Sequence, residues 1–264
     1  MITSPSNPRI KMLRKLQLRK YREESGSYYL EGPRHVLEAL TTSAPIDYVV
    51  ICPELLTNPE SILSRINAQL GQDQILVVRE DTFKGFSTKD GPKGLAAVVR
   101  QVWASLTDIK DDECRWVALS SVANPGNLGT IIRTCDAVGL TGIILLDQST
   151  DPYDPTALRA SMGTNFAIKH IKTGFNELVD WKRSNNIALI GTSDRAELDY
   201  HHASYPRKFI LLMGSEREGL NPEQMKQCDL MVRIPMRGQA DSLNLAVATS
   251  VILYEMYNQM QDKL

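Results

Sequence analysis

The sequence is poor in cysteine: Cys52, Cys114, Cys135 and Cys228 are its four, and no two form a CxxC pair. Scattered thiols argue against a disulfide framework or a zinc site, and they suit a reducing compartment. The N-terminus has no apolar segment of secretory type, and no uninterrupted apolar run is as long as a membrane span. We therefore expect a cytoplasmic protein without a membrane partner. No GxGxxG follows Val122 and no GxxxxGK[ST] occurs anywhere, which disfavours nicotinamide and nucleoside-triphosphate enzymes. The GxSxG elbow is absent too, which weakens a hydrolase reading. His201–His202 lacks nearby ligand partners and reads as a loop pair, so no metal is expected. A net charge of −1 rules out a uniformly basic nucleic-acid binder.

What is there is unevenly placed. Before Glu23 the chain carries Arg9, Lys11, Arg14, Lys15, Arg19, Lys20 and Arg22 and no acidic residue. Such an arm attracts phosphates. It also reads as a solvated amphipathic helix with Ile10, Leu13, Leu16 and Leu18 on its apolar side.

The 264 residues allow one or two domains. Residues 1–105 read as a small α/β unit. Its strands are Tyr28–Leu30, Val49–Ile51, Ile75–Val78 and Leu95–Val99, and its helices His35–Leu40 and Pro59–Leu70. Gln101–Glu113 is polar and aperiodic, a linker. In residues 106–264 strands and helices alternate. The strands are Trp116–Val122, Gly142–Leu146, Ile187–Ile190, Phe209–Met213 and Met231–Ile234. The helices are Asn127–Ala137, Thr156–Met162, Phe175–Arg183 and Ser242–Met260. This alternation implies an α/β fold with a mostly parallel sheet, where ligands bind beyond the carboxyl ends of the strands.

Three constellations fall at such ends. In Asn124–Arg133, Asn127 lies close enough to a helix start to cap it, and Arg133 offers a guanidinium to a phosphate or a forming oxyanion. Alone, it also reads as a capped helix with a surface arginine. In Gly214–Leu220, Glu216 could accept from ribose hydroxyls, an ammonium group or Arg133; alone it is a loop carboxylate. In Ile234–Asn244, Ser242 is placed to cap the terminal helix, with Asn244 in its first turn.

Together the three segments resemble the SpoU/TrmH family of RNA ribose 2'-O-methyltransferases, within the SPOUT superfamily. Asn127-Leu-Gly-Thr-Ile-Ile-Arg133 is similar to its NxGxxxR motif and Gly214-Ser-Glu-Arg-Glu-Gly-Leu220 to GxExxGL. Ile234-Pro-Met236 with Ser242-Leu-Asn244 is similar to the third. Tyr29-Leu-Glu-Gly-Pro-Arg34 resembles the substrate-binding domain of the ribosomal-RNA-modifying branch. The resemblance implies a C-terminal catalytic domain with a trefoil knot, an N-terminal RNA-binding domain, and homodimers packed through the catalytic domain. It implies S-adenosylmethionine as cofactor, held at Gly214, Ile234, Leu243 and Asn244. It gives Arg133 the activating role, with Asn127, Glu216, Ser242 and Asn244 positioning it. Arg9, Lys11, Arg34 and Arg159 would meet RNA, together with Ser161 in the Asp151–Gly163 loop. The implied substrate is structured RNA, 23S ribosomal RNA first. A tRNA 2'-O-methyltransferase or a noncatalytic RNA-binding relative are the alternatives.

Overall fold

The computed structural model describes residues 6–88, 91–110 and 114–261. The acidic end of the expected linker, residues 111–113, lies outside them. In chain order the first elements are α1 (Pro8–Lys15), α2 (Arg19–Ser25), β1 (Ser27–Glu31), α3 (Pro33–Thr41), β2 (Ile46–Ile51), α4 (Pro59–Asn67), β3 (Ile75–Val77), α5 (Glu80–Lys84) and β4 (Leu95–Arg100). Then come β5 (Arg115–Ser120), α6 (Pro125–Ala137), β6 (Gly142–Leu146), α7 (Pro155–Ser161), β7 (Lys169–Thr173), α8 (Phe175–Ser184) and β8 (Ala188–Thr192). The last are β9 (Leu198–Asp199), β10 (Phe209–Met213), α9 (Pro222–Gln227), β11 (Leu230–Arg233) and α10 (Leu245–Gln261). No described helix is long and apolar enough to cross a membrane.

The chain divides into two compact units: Met1–Val102 with Tyr153–Phe166, and Trp103–Pro152 with Ala167–Leu264. This differs from a single cut at 105/106, because the α7 segment returns to the first unit. Tyr153 draws it there: its ring stacks on Tyr28 at 4.6 Å, and its hydroxyl donates to the Val102 carbonyl at 2.6 Å. Leu158 enters the same core as Leu30 and Val36.

The first unit is a sheet in the order β1-β4-β2-β3. β4 is antiparallel to both neighbours, while β2 and β3 are parallel. Alternate residues feed two cores. Tyr28, Leu30, Val49 and Ile51 pack with Val36, Ala39, Ile62 and Ile66 from α3 and α4. Tyr29, Tyr48, Val50 and Val98 pack with Ile10 and Leu13 of α1 and with Phe83 and Phe86. Burial on both faces is why these strands read as continuous apolar runs.

The basic arm is two helices, not one. Leu18, expected on the apolar side, is extended backbone before α2 and is 60% exposed. Arg22 is buried and donates to the carbonyls of Leu16 and Gln17, both at 2.9 Å, and to Asp154 at 3.3 Å. Arg14 donates to the Gly85 carbonyl, and Arg19 pairs with Glu23. Much of the arm's charge is therefore engaged within the unit.

The second unit is a seven-stranded parallel sheet in the order β7-β6-β5-β10-β8-β11-β9. On one face Val117, Leu119, Ile143 and Leu211 pack with Ile131, Ile132 and Cys135 of α6 and Ile252, Leu253 and Met256 of α10. On the other, Trp116, Ala118, Ile144 and Leu212 pack with Leu178 of α8. Leu106, within the stretch expected as a linker, is buried in this second core, and Ala104 bridges to Ile171 beside β7. The chain builds β5-β6-β7 outward, then returns to lay β8 and β10 on the other side of β5. Parallel sheets place their ligand crevice at such a reversal. The loops after β5, β8, β10 and β11 all leave carboxyl ends there.

Candidate active site

The loop after β5 enters α6 through Asn124, whose Oδ1 accepts from the amides of Gly126 at 2.8 Å and Asn127 at 3.3 Å, with Pro125 in the first turn. The cap is thus Asn124 and not Asn127. That frees the Asn127 side chain to cross between loops. Its Nδ2 donates to Glu216 at 3.2 Å, and its Oδ1 accepts from Asn244 Nδ2 at 2.9 Å. Asn244 Oδ1 in turn accepts from the amides of Ala246 at 2.9 Å and Val247 at 3.4 Å. α10 therefore starts at Leu245 and Asn244 caps it, where Ser242 was expected to cap and Asn244 to sit in the first turn. The amide oxygen of Asn244 reaches the free amides just after it, as an N-cap must.

Glu216 completes the chain of contacts. Its two oxygens accept from the amides of Ala123 and Asn124, both at 3.1 Å. The carboxylate therefore ties the β10 loop to the β5 loop instead of reaching toward Arg133. Burial disfavours its charge, but the Ala123 and Asn124 amides, its own amide and Asn127 outweigh this and hold its pKa below the ordinary value. A depressed carboxyl pKa stabilises the fold above the ordinary glutamate range, and this contribution disappears as pH falls through the lower folded value. In acid titrations of stability, Glu216→Gln should therefore lose part of the wild-type slope. An unchanged profile would show that the three loops do not depend on this charge.

Between the loops lies a cavity of about 540 Å³. Its wall includes Gly214, Glu216, Ile234, Ser242 and Leu243 of the expected residues, with Met213, Leu220, Val232 and Ile252 as apolar lining. Gly214 is an obligate close approach: a Cβ there would lie 2.0 Å from the Gly219 carbonyl carbon and 2.3 Å from the Leu220 nitrogen. Thr192, Ser193, Asp194 and Arg195 also line the cavity and were not singled out from sequence. Thr192 ends β8 and the other three follow it, so the signal is the carboxyl end of a parallel strand.

Arg133 is exposed on α6, outside the residues lining the cavity, and its side chain makes no hydrogen bond or ion pair to another described residue. Its neighbour Thr134 meets Ser250 of α10 at 2.9 Å. Lys11, Arg34 and Arg159 are exposed in the first unit. Arg9 is partly engaged in the fold: it donates to the Asp73 carbonyl at 2.7 Å and sits over the Tyr48 ring at 5.4 Å. Ser161 is fully buried and bonded to the Leu158 carbonyl, so it is not available for the RNA contact expected of it. His201 and His202, read as a pair without ligand partners, have Asp199 beside them.

Comparison with known proteins agrees with this geometry. Residues 115–254 match the SpoU rRNA Methylase family, and residues 7–97 match the MRM3-like substrate binding domain. The chain is 29% identical to the 23S rRNA (guanosine(2553)-2'-O)-methyltransferase RlmP of Bacillus subtilis, over 97% of this chain and 98% of the relative. It is 29% identical to the 23S rRNA (uridine(2479)-2'-O)-methyltransferase of Streptomyces viridochromogenes, over 91% of this chain and 86% of the relative. The crystal structure of an AdoMet-bound rRNA methyltransferase from Sinorhizobium meliloti matches with a TM-score of 0.88 and 35% identity, covering 100% of this chain and 98% of that one. With both units matched and the three motif loops joined at one cavity, the chain belongs to the SpoU rRNA methylase family.

Proposed function

We propose that the protein is an S-adenosylmethionine-dependent methyltransferase that modifies a ribose 2'-hydroxyl in ribosomal RNA, with 23S RNA the first candidate. The observation that carries this reading is the Glu216–Asn127–Asn244 chain, which locks the loops after β5, β10 and β11 around the cavity. The cavity fits the cofactor in kind. It lies within the ~300–1,000 Å³ range of small-molecule sites and combines an apolar wall with backbone and a few polar groups. Gly214, Ile234, Ser242 and Leu243 would hold the cofactor, with Thr192–Arg195 on the side of β8; Asn244 would act by setting the loop. When bound, S-adenosylmethionine supplies an electrophilic methyl group.

The chain's own task is then to place the hydroxyl and manage its proton. Placement alone contributes roughly 7–11 kcal/mol in well-oriented systems. Arg133 is not a base, because a guanidinium keeps its proton below pH ~12. It instead holds a neighbouring phosphate and stabilises the negative charge that grows on the 2'-oxygen. The proton departs to phosphate or water. In the first unit, Lys11, Arg34 and Arg159 supply exposed charge for RNA, with Arg9 contributing its remaining donors.

Two further parts of the reading concern assembly. The reading includes a trefoil knot through the C-terminal segment, the topology that the motif resemblance implies. A homodimer through the second unit is supported by α10. There Val247, Val251 and Tyr254 recur at helical spacing, with Val247 and Tyr254 49% and 48% exposed. Leu253, on the same helix, is core. In this reading a second copy would cover that stripe. Acting on ribosomal RNA, the protein would work in the cytoplasm.

Mass mapping of 2'-O-methylated nucleotides in ribosomal RNA from cells with and without the gene tests the proposal. One ribose methyl should be missing without the gene and should return with the wild-type gene, but not with Arg133→Ala. Unchanged ribosomal RNA, or loss of a methyl from tRNA alone, would refute ribosomal RNA as the substrate.

A further inference from the structure

At the β9 edge of the parallel sheet, three side chains converge that methyl transfer does not use. We propose that Asp199, His201 and His202 form a binding site for a divalent transition-metal ion of the zinc, cobalt and nickel class. One ligand atom from each residue lies within 4.8 Å of the others. In a four-coordinate zinc site, metal–nitrogen bonds of ~2.0–2.1 Å set neighbouring ligand atoms about 3.4 Å apart. Rotation of the side chains is the movement that would close the remaining distance. The two imidazoles are free to make it: both are exposed, their centroids stand 3.9 Å apart, and no hydrogen bond to a described residue holds either ring.

The backbone beneath them is already set. Asp199 pairs with Arg233 in the β9–β11 ladder. The Tyr200 amide donates to the Arg233 carbonyl at 2.8 Å, and the His202 amide donates to the Asp199 carbonyl at 2.9 Å. The Tyr205 hydroxyl, on a buried ring, donates to the Tyr200 carbonyl at 2.5 Å. Three ligands within four residues of a fixed turn lose little freedom when they close on an ion. Arg233 Nε also donates to Asp199 Oδ1 at 2.6 Å. This orients the carboxylate and leaves its second oxygen as the ligand, the outer-shell support that ligating carboxylates commonly have. The guanidinium's charge opposes a second cation and weakens the site. Two imidazoles with one carboxylate select zinc, cobalt, nickel or copper over magnesium and calcium, and the fourth position falls to water.

The site stands apart from the methyl-transfer reading and holds whether or not that reading survives. Tag-free, full-length protein is titrated with cobalt(II), following the visible absorption of four-coordinate cobalt, and the ion is then displaced with zinc(II). One cobalt per chain should bind and zinc should displace it, while magnesium should not. His201→Ala and His202→Ala should each weaken binding by at least about tenfold, the scale of loss that even outer-shell changes bring. His35→Gln and Cys228→Ser should leave it unchanged. Unaltered melting temperatures in the two alanine variants would show that the turn still folds. Sub-stoichiometric binding, displacement by magnesium, or binding that survives the double histidine variant would overturn the site.

Discussion

Gly214→Ala is expected to cut methyl transfer by about 10²-fold or more, the scale of a roughly 1 Å misplacement in an active site, while Gly238→Ala leaves it unchanged. The contrast is geometric. The three atoms nearest the added methyl at 214 are all main chain, at 2.0 Å for the Gly219 carbonyl carbon, 2.3 Å for its oxygen and 2.3 Å for the Leu220 nitrogen. No side-chain rotation relieves such an overlap. The partner segment is itself closed: Ser215 and Gly219 exchange backbone hydrogen bonds at 3.1 and 3.2 Å, and Gly219 lies at φ +67°. The loop must therefore move as a body, carrying Glu216 away from the Ala123 and Asn124 amides and distorting the cavity wall. Overpacking costs about 1–3 kcal/mol, so the unit should stay folded with a lowered melting temperature. At Gly238, in the loop after β11, a methyl meets nothing within 4 Å. Calorimetric titration with S-adenosylhomocysteine should show weakened binding in the first variant and normal binding in the second. Equal binding in the two would mean that the close approach at Gly214 does not shape the cofactor site.

The parallel sheet and the three loops were legible in the sequence because each rests on local chemistry. Runs such as Phe209–Met213 and Gly142–Leu146 are apolar on both faces, which only a sheet covered twice accommodates. Gly214 and Pro125 punctuate strand ends. What was not legible depends on long-range partners. Lys169–Thr173 at the sheet edge has Ile171 as its one apolar residue and so carries no strand signal in the sequence. Asn124, Asn127 and Asn244 are all competent caps, and sequence alone does not say which side chain is taken up by its own helix. The structure resolves it through Glu216, which occupies Asn127 from 89 residues away. The return of α7 to the first unit was equally hidden, because Tyr153 looks like any loop aromatic until Tyr28 is placed beneath it. The third residue beside His201–His202 was only two positions away, but its approach depends on the turn after β9.

Arg133→Ala is expected to lower turnover by about 10²–10³-fold, the loss seen when one stabiliser of a developing oxyanion is removed, with cofactor affinity unchanged. The two readouts separate because Arg133 does not line the cavity and its side chain bonds to no described residue. Arg133→Lys should recover little, since a compact ammonium does not reproduce a planar, two-pronged contact with phosphate. An arginine so disposed in one chain also suggests that the second copy completes the site, with α6 and the exposed stripe of α10 at the interface. Mixing decides this. A chain carrying Arg133→Ala has an intact cavity, and a chain carrying Gly214→Ala has an intact arginine. If the site is shared, randomly mixed dimers should regain on the order of a quarter of wild-type activity, because half are hybrids and each hybrid holds one whole site of two. If the arginine serves its own chain's cavity, every site in the mixture remains defective and no activity returns.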